Sequence, residues 1–131
     1  SMTRRTPLNE AHRKLGARMV DFVGWDMPVQ YPMGVLNEHL HTRAAAGLFD
    51  VSHMGQVILG ARDAAARLEA LVPADLVGLP KGRQRYGLFT AESGGILDDL
   101  MIANKGDHLF LVVNAACAAQ DIAHLDAAPE F

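Results

Sequence analysis

The stretch GGILDDLMI, at positions 94–102, places two adjacent carboxylates inside a branched, apolar run that is typical of a buried strand. Side chains of a strand alternate between its two faces, so one of Asp98 and Asp99 must point to each face. Burying an ionised carboxylate without partners costs several kcal/mol. The sequence therefore predicts that each acid lies near a strand end, accepts hydrogen bonds, or has a chemical role.

The two acids differ in how well a structural explanation fits them. Asp98 is nearer the glycine turn, where a carboxylate can accept backbone N–H bonds. Asp99 lies deeper in the strand, and there the structural explanation is weaker. A carboxylate in an apolar pocket can hold a basic ligand nitrogen, or act as an acid or base with a raised pKa. The pair on its own leaves these possibilities open.

The order of elements from residue 51 is predicted as strand, helix, three strands and helix. The last three strands are the segments RQRYGLFTA, ILDDLMIAN and HLFLVVN. Short connections containing glycine join them, which favours hairpins and antiparallel pairing. We therefore predict the α+β class, an antiparallel sheet with helices packed on one face.

Two of these strands, ILDDLMIA and HLFLVV, are apolar on both faces, whereas a one-sided sheet shows cleaner alternation. The second face is therefore expected to meet another part of the fold, a partner or a ligand. Exposed apolar surface of this kind also favours self-association.

Composition and charge exclude several classes of function. The chain has 131 residues and a formal net charge of -3, so no nucleic-acid or acidic-membrane partner is expected. Its one cysteine excludes an intrachain disulfide and a zinc framework, and fits a reducing compartment. No apolar run approaches the ~20 residues of a membrane span. We expect a cytoplasmic, bacterial protein.

Other chemistries are weakly supported. His39 and His41 are two apart on a predicted helix and face different sides, so no metal site is expected. FDVSHMG contains Asp50, Ser52 and His53, but neighbouring side chains diverge and cannot easily form a nucleophile–base pair. No phosphate-binding glycine motif occurs.

Five stretches, in this order, resemble the T-protein family of the glycine cleavage system, which are tetrahydrofolate-dependent aminomethyltransferases. They are TPL, FVGWDMPVQYP, EHLHTRAAAGLFDVSHMGQV, YGLFTAESGGILDDLMI and FLVVNAACAAQDIAHL. The resemblance covers nearly all of this chain but only about the opening third of the family's. We therefore expect a fragment that lacks later parts of the folate pocket and is inactive alone.

The resemblance implies that the full-length protein moves a one-carbon unit from the aminomethyl-lipoyl arm of the H-protein to tetrahydrofolate and releases ammonia. Tetrahydrofolate is then a cosubstrate, the H-protein is the partner, and no metal is involved. The family's key carboxylate corresponds to Asp99, which is expected near the reacting folate nitrogens. Met54 and Tyr86 would pack on the pterin, and Asn114 would hydrogen-bond the pterin edge.

Each of these ligand contacts has a structural alternative. Tyr86 and Met54 can be core residues, and Asn114 is a good helix cap. Some bacterial members carry an aromatic residue shortly after DDL, whereas this chain has Ala103 and Asn104.

The resemblance also implies a ferredoxin-like arrangement in the folate-binding part. Domains of the family interleave, so residues 1–50 are expected to form a segment of a discontinuous domain, and residues 51–131 an α+β folate-binding domain. Two further functions remain open: a related folate-dependent demethylase domain, and a non-catalytic folate-binding or scaffold module.

Overall fold

A computed structural model of the chain describes residues 2–128. The chain divides into two compact units, Ser1–His53 and Met54–Phe131. The domain division expected at residue 50 stays a prediction, because compactness does not establish how domains are assembled. Within residues 2–128, no helix has the length and apolarity needed to cross a bilayer.

The first unit contains a three-stranded sheet and two helices. Its elements are β1 Arg4–Arg5, α1 Asn9–Lys14, β2 Arg18–Phe22, β3 Trp25–Gln30 and α2 Val35–Ala44. The strand order is β1-β3-β2, with β1 parallel and β2 antiparallel to β3. Val23 and Gly24 join β2 to β3, and both have positive φ, as two-residue hairpin turns require.

Asp50 is the centre of a polar network in this unit. Its carboxylate accepts hydrogen bonds from Thr6 Oγ1 at 2.9 Å, from His12 Nε2 at 2.8 Å and from the Ser52 backbone N–H at 3.0 Å. His12 is buried, and its Nδ1 lies 2.6 Å from the Tyr31 hydroxyl. Burial opposes ionisation of Asp50, but hydrogen bonds from Ser52, His12 and Thr6 outweigh it and hold its pKa well below the usual range.

This network accounts for the acid and the hydroxyl of FDVSHMG without hydrolase chemistry. Ser52 Oγ donates to Asp50 Oδ1 at 2.5 Å, and the His53 ring packs edge-on against Phe22 at 5.6 Å between ring centroids. Asp50 therefore ties the end of this unit to its first helix.

The second unit contains a four-stranded antiparallel sheet. Its elements are β4 Gly55–Leu59, α3 Ala64–Leu68, β5 Gln84–Thr90, β6 Ile96–Asn104, β7 Leu109–Val113, a 3₁₀ turn Ala115–Cys117 and α4 Ala118–Ala127. The strand order is β4-β7-β6-β5. The α+β class, with antiparallel pairing and helices packed on the sheet, is confirmed.

The described strands depart from the expected ferredoxin-like order in one respect. Strand β7 lies between β4 and β6, whereas a ferredoxin-like sheet places its last strand at an edge. The reason is the short connection after β6, which forces β7 to pair with β6 before α4 begins.

One face of this sheet is covered by α3 and α4 and forms the core. Leu100 and Ile102 of β6 pack there with Phe89, Leu68 of α3 and Leu125 of α4. Because side chains alternate, the intervening residues of β6 point to the opposite face.

We call that opposite face the open face. It carries Tyr86, Leu88, Asp99, Met101 and Val112, which are aligned by the register of β5, β6 and β7. Tyr86 is 59% exposed, whereas the core-face residues on either side of Met101 are almost fully buried. The two-sided apolarity predicted from the sequence is therefore present, with helices on one side only of the second unit.

Gly87 of β5 lies directly against two buried side chains of the core. A Cβ there would lie 2.8 Å from Val72 Cγ1 and 3.0 Å from Ile102 Cδ1, both on buried side chains. We expect Gly87→Ala to lower the free energy of unfolding by about 1–3 kcal/mol, because the core must shift to admit the methyl group. Urea denaturation measures this difference.

The matched control is Gly60→Ala, since a Cβ at Gly60 meets nothing within 4 Å. If both alanine variants unfold at the same urea concentration, close packing at Gly87 is not what requires glycine there.

Candidate functional site

The two acids of β6 are divided between the faces of the sheet. Asp98 is the register partner of Phe89, a core residue, and Asp99 is the partner of Leu88 on the open face. Both carboxyls are half-buried. The alternation predicted from the sequence is therefore what the structure has, and the acids meet different surroundings.

Asn114 connects the two acids. It directly follows β7, and its Nδ2 donates to Asp98 Oδ1 at 2.9 Å and also to Asp99 Oδ1. Asn114 precedes the 3₁₀ turn, but its side chain makes no capping hydrogen bond. The helix-cap alternative is therefore wrong for this side chain, because the acids of the neighbouring strand take its amide hydrogens.

Tyr86 holds the other oxygen of Asp99. The Tyr86 hydroxyl donates to Asp99 Oδ2 at 2.9 Å across the open face. This hydrogen bond to Asp99 raises the pKa of the Tyr86 hydroxyl. Since Tyr86 is more than half exposed, the core-residue alternative is wrong for it, and its ring is available for contact.

Met54 is placed near this group by register alone. It precedes Gly55, which pairs with Val113, the residue before Asn114. Met54 is half-buried and lies at the same end of the sheet as Asn114. The structure thus brings together Asp99, Tyr86 and Asn114 by hydrogen bonds, and adds Met54 only by its position.

The structure also shows an acid that the sequence reasoning missed. Asp121, on α4, is 2% exposed, and its carboxyl lies within hydrogen-bond distance of Asp98. Burial, together with Asp98, raises the pKa of Asp121 to about 7. A signal was present in the sequence, because Asp121 lies four residues before the buried Leu125, on the apolar stripe of the helix.

The pKa of Asp98 is shifted in the opposite direction. Burial alone would raise its pKa, but hydrogen bonds with Asp121, Asn114 and the backbone of Asp99 lower it below its usual range. Asp98 does not bond the glycine turn, where Ala91 and Gly95 pair with each other instead. The suggested backbone role of Asp98 at that turn is therefore wrong.

Cys117 is not an activated thiol in this site. Burial and the neighbouring Asp98 and Asp121 raise its pKa, which outweighs any effect of the helix start. The side chain is half-buried beside the acids.

These contacts define an acidic group, which we call the carboxylate cluster: Asp98, Asp99 and Asp121, joined through Asn114. In the part of the chain that the structure describes, none of the three forms an ion pair with Lys or Arg. Across residues 2–128, no group of three or more His, Cys, Asp or Glu side chains is arranged to hold a metal. On the open face, Asp99 can accept a ligand N–H or stabilise positive charge.

Comparison with known proteins identifies the family of this chain. A family model described as the GCVT N-terminal domain matches residues 8–130. The chain belongs to the GCVT N-terminal domain family. It is 55% identical over 123 residues to a mitochondrial aminomethyltransferase of Dictyostelium discoideum, and 50% identical over 121 residues to an aminomethyltransferase of Rubrobacter xylanophilus.

These family members are longer than this chain. The matches cover 94% and 92% of this chain but 30% and 32% of the two relatives. A crystal structure of the glycine cleavage system aminomethyltransferase T from Bartonella henselae superposes with a TM-score of 0.90 at 44% identity, covering 96% of this chain and 35% of that one. The chain therefore spans about a third of the length of the relatives that it matches.

Proposed function

We propose that this chain supplies the carboxylate of an aminomethyltransferase site, with tetrahydrofolate as cosubstrate and a lipoyl-bearing H-protein as donor. The single observation that carries the proposal is Asp99, which lies on the open face of the sheet with both oxygens oriented by neutral donors. The family membership and the aminomethyltransferase relatives support the reaction class.

The proposed role of Asp99 follows from its surroundings. In the proposed transfer, the methylene carbon breaks its bonds to the lipoyl sulfur and to its amino nitrogen and forms bonds to two folate nitrogens. The sulfur and the nitrogen leave as a thiol and ammonia, which take up the two protons that the folate nitrogens lose. The carbon is electron-poor while these bonds exchange. A fixed carboxylate stabilises positive charge there and orients the N–H of the accepting nitrogen. Asn114 and Tyr86 restrict the Asp99 side chain, so little reorganisation is needed when the ligand binds.

The remaining ligand contacts are proposed from position. The exposed ring of Tyr86 and the thioether of Met54 would pack on the pterin and its linker. Asn114 uses its Nδ2 on the two acids, so its carbonyl oxygen is the group that we assign to the pterin edge. The later part of a full-length relative would complete the pocket.

The direct test uses a polypeptide of the relatives' full length whose N-terminal part is this chain. With aminomethyl-loaded H-protein, we expect one ammonia and one methylenetetrahydrofolate for each aminomethyl group consumed. Formation of both products must require tetrahydrofolate. A protein that instead demethylates dimethylglycine, or that binds folate without turnover, would establish one of the two alternatives.

Tyr86 provides a graded prediction in the same assay. We expect Tyr86→Phe to lower kcat/KM about 2- to 10-fold, because one hydrogen bond to Asp99 is lost, while folate binding is retained. Tyr86→Leu also removes the ring and should weaken folate binding, measured by calorimetry. If Tyr86→Leu binds folate as tightly as the unaltered protein, the stacking role assigned to Tyr86 is wrong.

A further inference from the structure

We propose that Asp121 is a positioning residue that shares one proton with Asp98 and thereby keeps Asn114 and Asp99 in place. Only the effect on transfer rests on the proposed function, since the shared proton is a property of the chain itself. Asp121 lies on α4, whose Leu125 packs in the core on the other face of the sheet, so it would act on the reaction through Asp98 and Asn114.

Among the residues that the structure describes, each of the two acids, Asp98 and Asp121, has one buried oxygen without a donor. Oδ2 of Asp98 and Oδ2 of Asp121 are both buried, and no donor within residues 2–128 reaches either. Yet the two carboxyls lie within hydrogen-bond distance of each other. Two ionised carboxylates only accept hydrogen bonds, so such a contact requires a proton on one of them.

Of the two carboxyls, Asp121 is the one that carries the shared proton. Asp98 already accepts hydrogen bonds from Asn114 and is less buried, which favours its ionised form. Asp121 is 2% exposed, and within residues 2–128 no donor reaches its buried Oδ2. Burial and the negative charge of Asp98 raise the pKa of Asp121 to about 7.

Other titratable groups face this pair from the neighbouring elements. Asp99 of β6 adds a second negative charge, and the Cys117 thiol of the 3₁₀ turn lies beside Asp98. His124, one turn further along α4, packs edge-on against Phe89, the register partner of Asp98. The two acids of β6 both favour a protonated Asp121.

Asn114 connects the shared proton to the site. Its Nδ2 donates hydrogen bonds both to Asp98 Oδ1 and to Asp99 Oδ1. When Asp121 loses its proton, two negative carboxylates meet at hydrogen-bond distance in a buried place and repel each other. Asp98 then moves or draws in water, and the orientation of Asn114 and Asp99 is less restricted. The site is therefore best ordered below the pH at which Asp121 ionises.

The shared proton is tested without any activity. In the full-length polypeptide, infrared difference spectra recorded between pH 5 and pH 9 should show the C=O band of a buried carboxylic acid that disappears near neutral pH. Asp121→Asn should lack this band, and Asp126→Asn, an exposed acid on the same helix, should keep it. Absence of the band in the unaltered protein, or its persistence in Asp121→Asn, overturns the proposal.

The positioning role is tested by the pH profile of transfer. The amide of Asp121→Asn donates to Asp98 at every pH, so kcat should stay within about 3-fold of the unaltered protein at pH 6 and lose the decline above pH 7. Asp121→Leu should lower kcat about 10-fold at all pH values, because it leaves Asp98 Oδ2 without a donor. A profile in Asp121→Asn that still declines like that of Asp126→Asn refutes the positioning role.

The two readouts separate this inference from the proposed function. If no transfer is found but the band titrates and depends on Asp121, the shared proton stands and the reaction assignment fails. If transfer is found without the band, the reaction assignment stands and this inference fails.

Discussion

Replacing Asp99 by Asn is expected to lower kcat for aminomethyl transfer about 10²–10³-fold, the usual effect of removing one electrostatic contact to a transition state. The amide is close in size and can still accept from Asn114, so the site should keep its shape. What is lost is the negative charge and the acceptor of the Tyr86 hydroxyl. Folate binding, measured by calorimetry, should fall much less than kcat.

The matched control for this prediction is Asp126→Asn, which removes one exposed carboxylate from α4. It should transfer the one-carbon unit at the unaltered rate. Equal activity of Asp99→Asn and the control would show that Asp99 has no chemical role, and would favour the folate-binding scaffold. Equal loss of transfer and of folate binding in Asp99→Asn would make Asp99 a binding residue.

Replacing Asp50 by Ala should have the largest effect on the stability of the first unit. The substitution leaves Thr6 and the buried His12 without their common acceptor. Leaving a buried donor without its acceptor costs about 1–3 kcal/mol. We therefore expect hydrogen exchange in α1 and β3 to increase strongly and urea denaturation of this unit to occur at a lower concentration.

Glu10→Ala is the control for Asp50→Ala, because Glu10 forms only an exposed ion pair with Arg5 at 3.5 Å. Exposed pairs contribute about 0–1 kcal/mol, so little change is expected. If Asp50→Ala is no less stable than Glu10→Ala, the hydrogen bonds of Asp50 do not hold the unit together.

The pH dependence of stability has a definite sign at Asp50. Its pKa is lowered in the folded state from the usual 3.8, so folding favours the ionised form. The stabilisation is complete above pH 4 to 5 and is lost as the pH falls below that range. Asp50→Asn should therefore show a smaller loss of stability on acidification than the unaltered chain.

The pH dependence of stability that Asp121 contributes has the opposite sign, because the pKa of Asp121 is raised in the folded state to about 7. Its stabilisation is complete below its unfolded pKa of 3.8 and is lost as the pH rises through about 7. Between about pH 5 and pH 7 the stability should depend on the ionisation of Asp121 and not of Asp50, since Asp50 is then ionised in both the folded and the unfolded chain.

Much of this protein could be predicted from local pattern. Hairpins around glycine turns, helices with apolar spacing and the division of Asp98 and Asp99 between two faces all follow from backbone geometry over a few residues. The family could also be predicted, because FDVSHMG and GGILDDL are specific when they occur together. These features depend on residues that are close to one another in the sequence.

The partners of each side chain required the tertiary structure. Asn114 meets Asp98 and Asp99 across 16 and 15 residues of sequence, and so does not cap its own helix. Asp50 meets His12 across 38 residues, a contact that FDVSHMG by itself does not indicate. Asp121 became an unusual acid because folding buries it beside Asp98. Sequence by itself determined where the chain turns and which face each acid occupies, because those depend on neighbours in the chain. Only the folded packing decided which acids share a proton, accept a hydrogen bond or stay free for a ligand, because burial and partners come from distant segments.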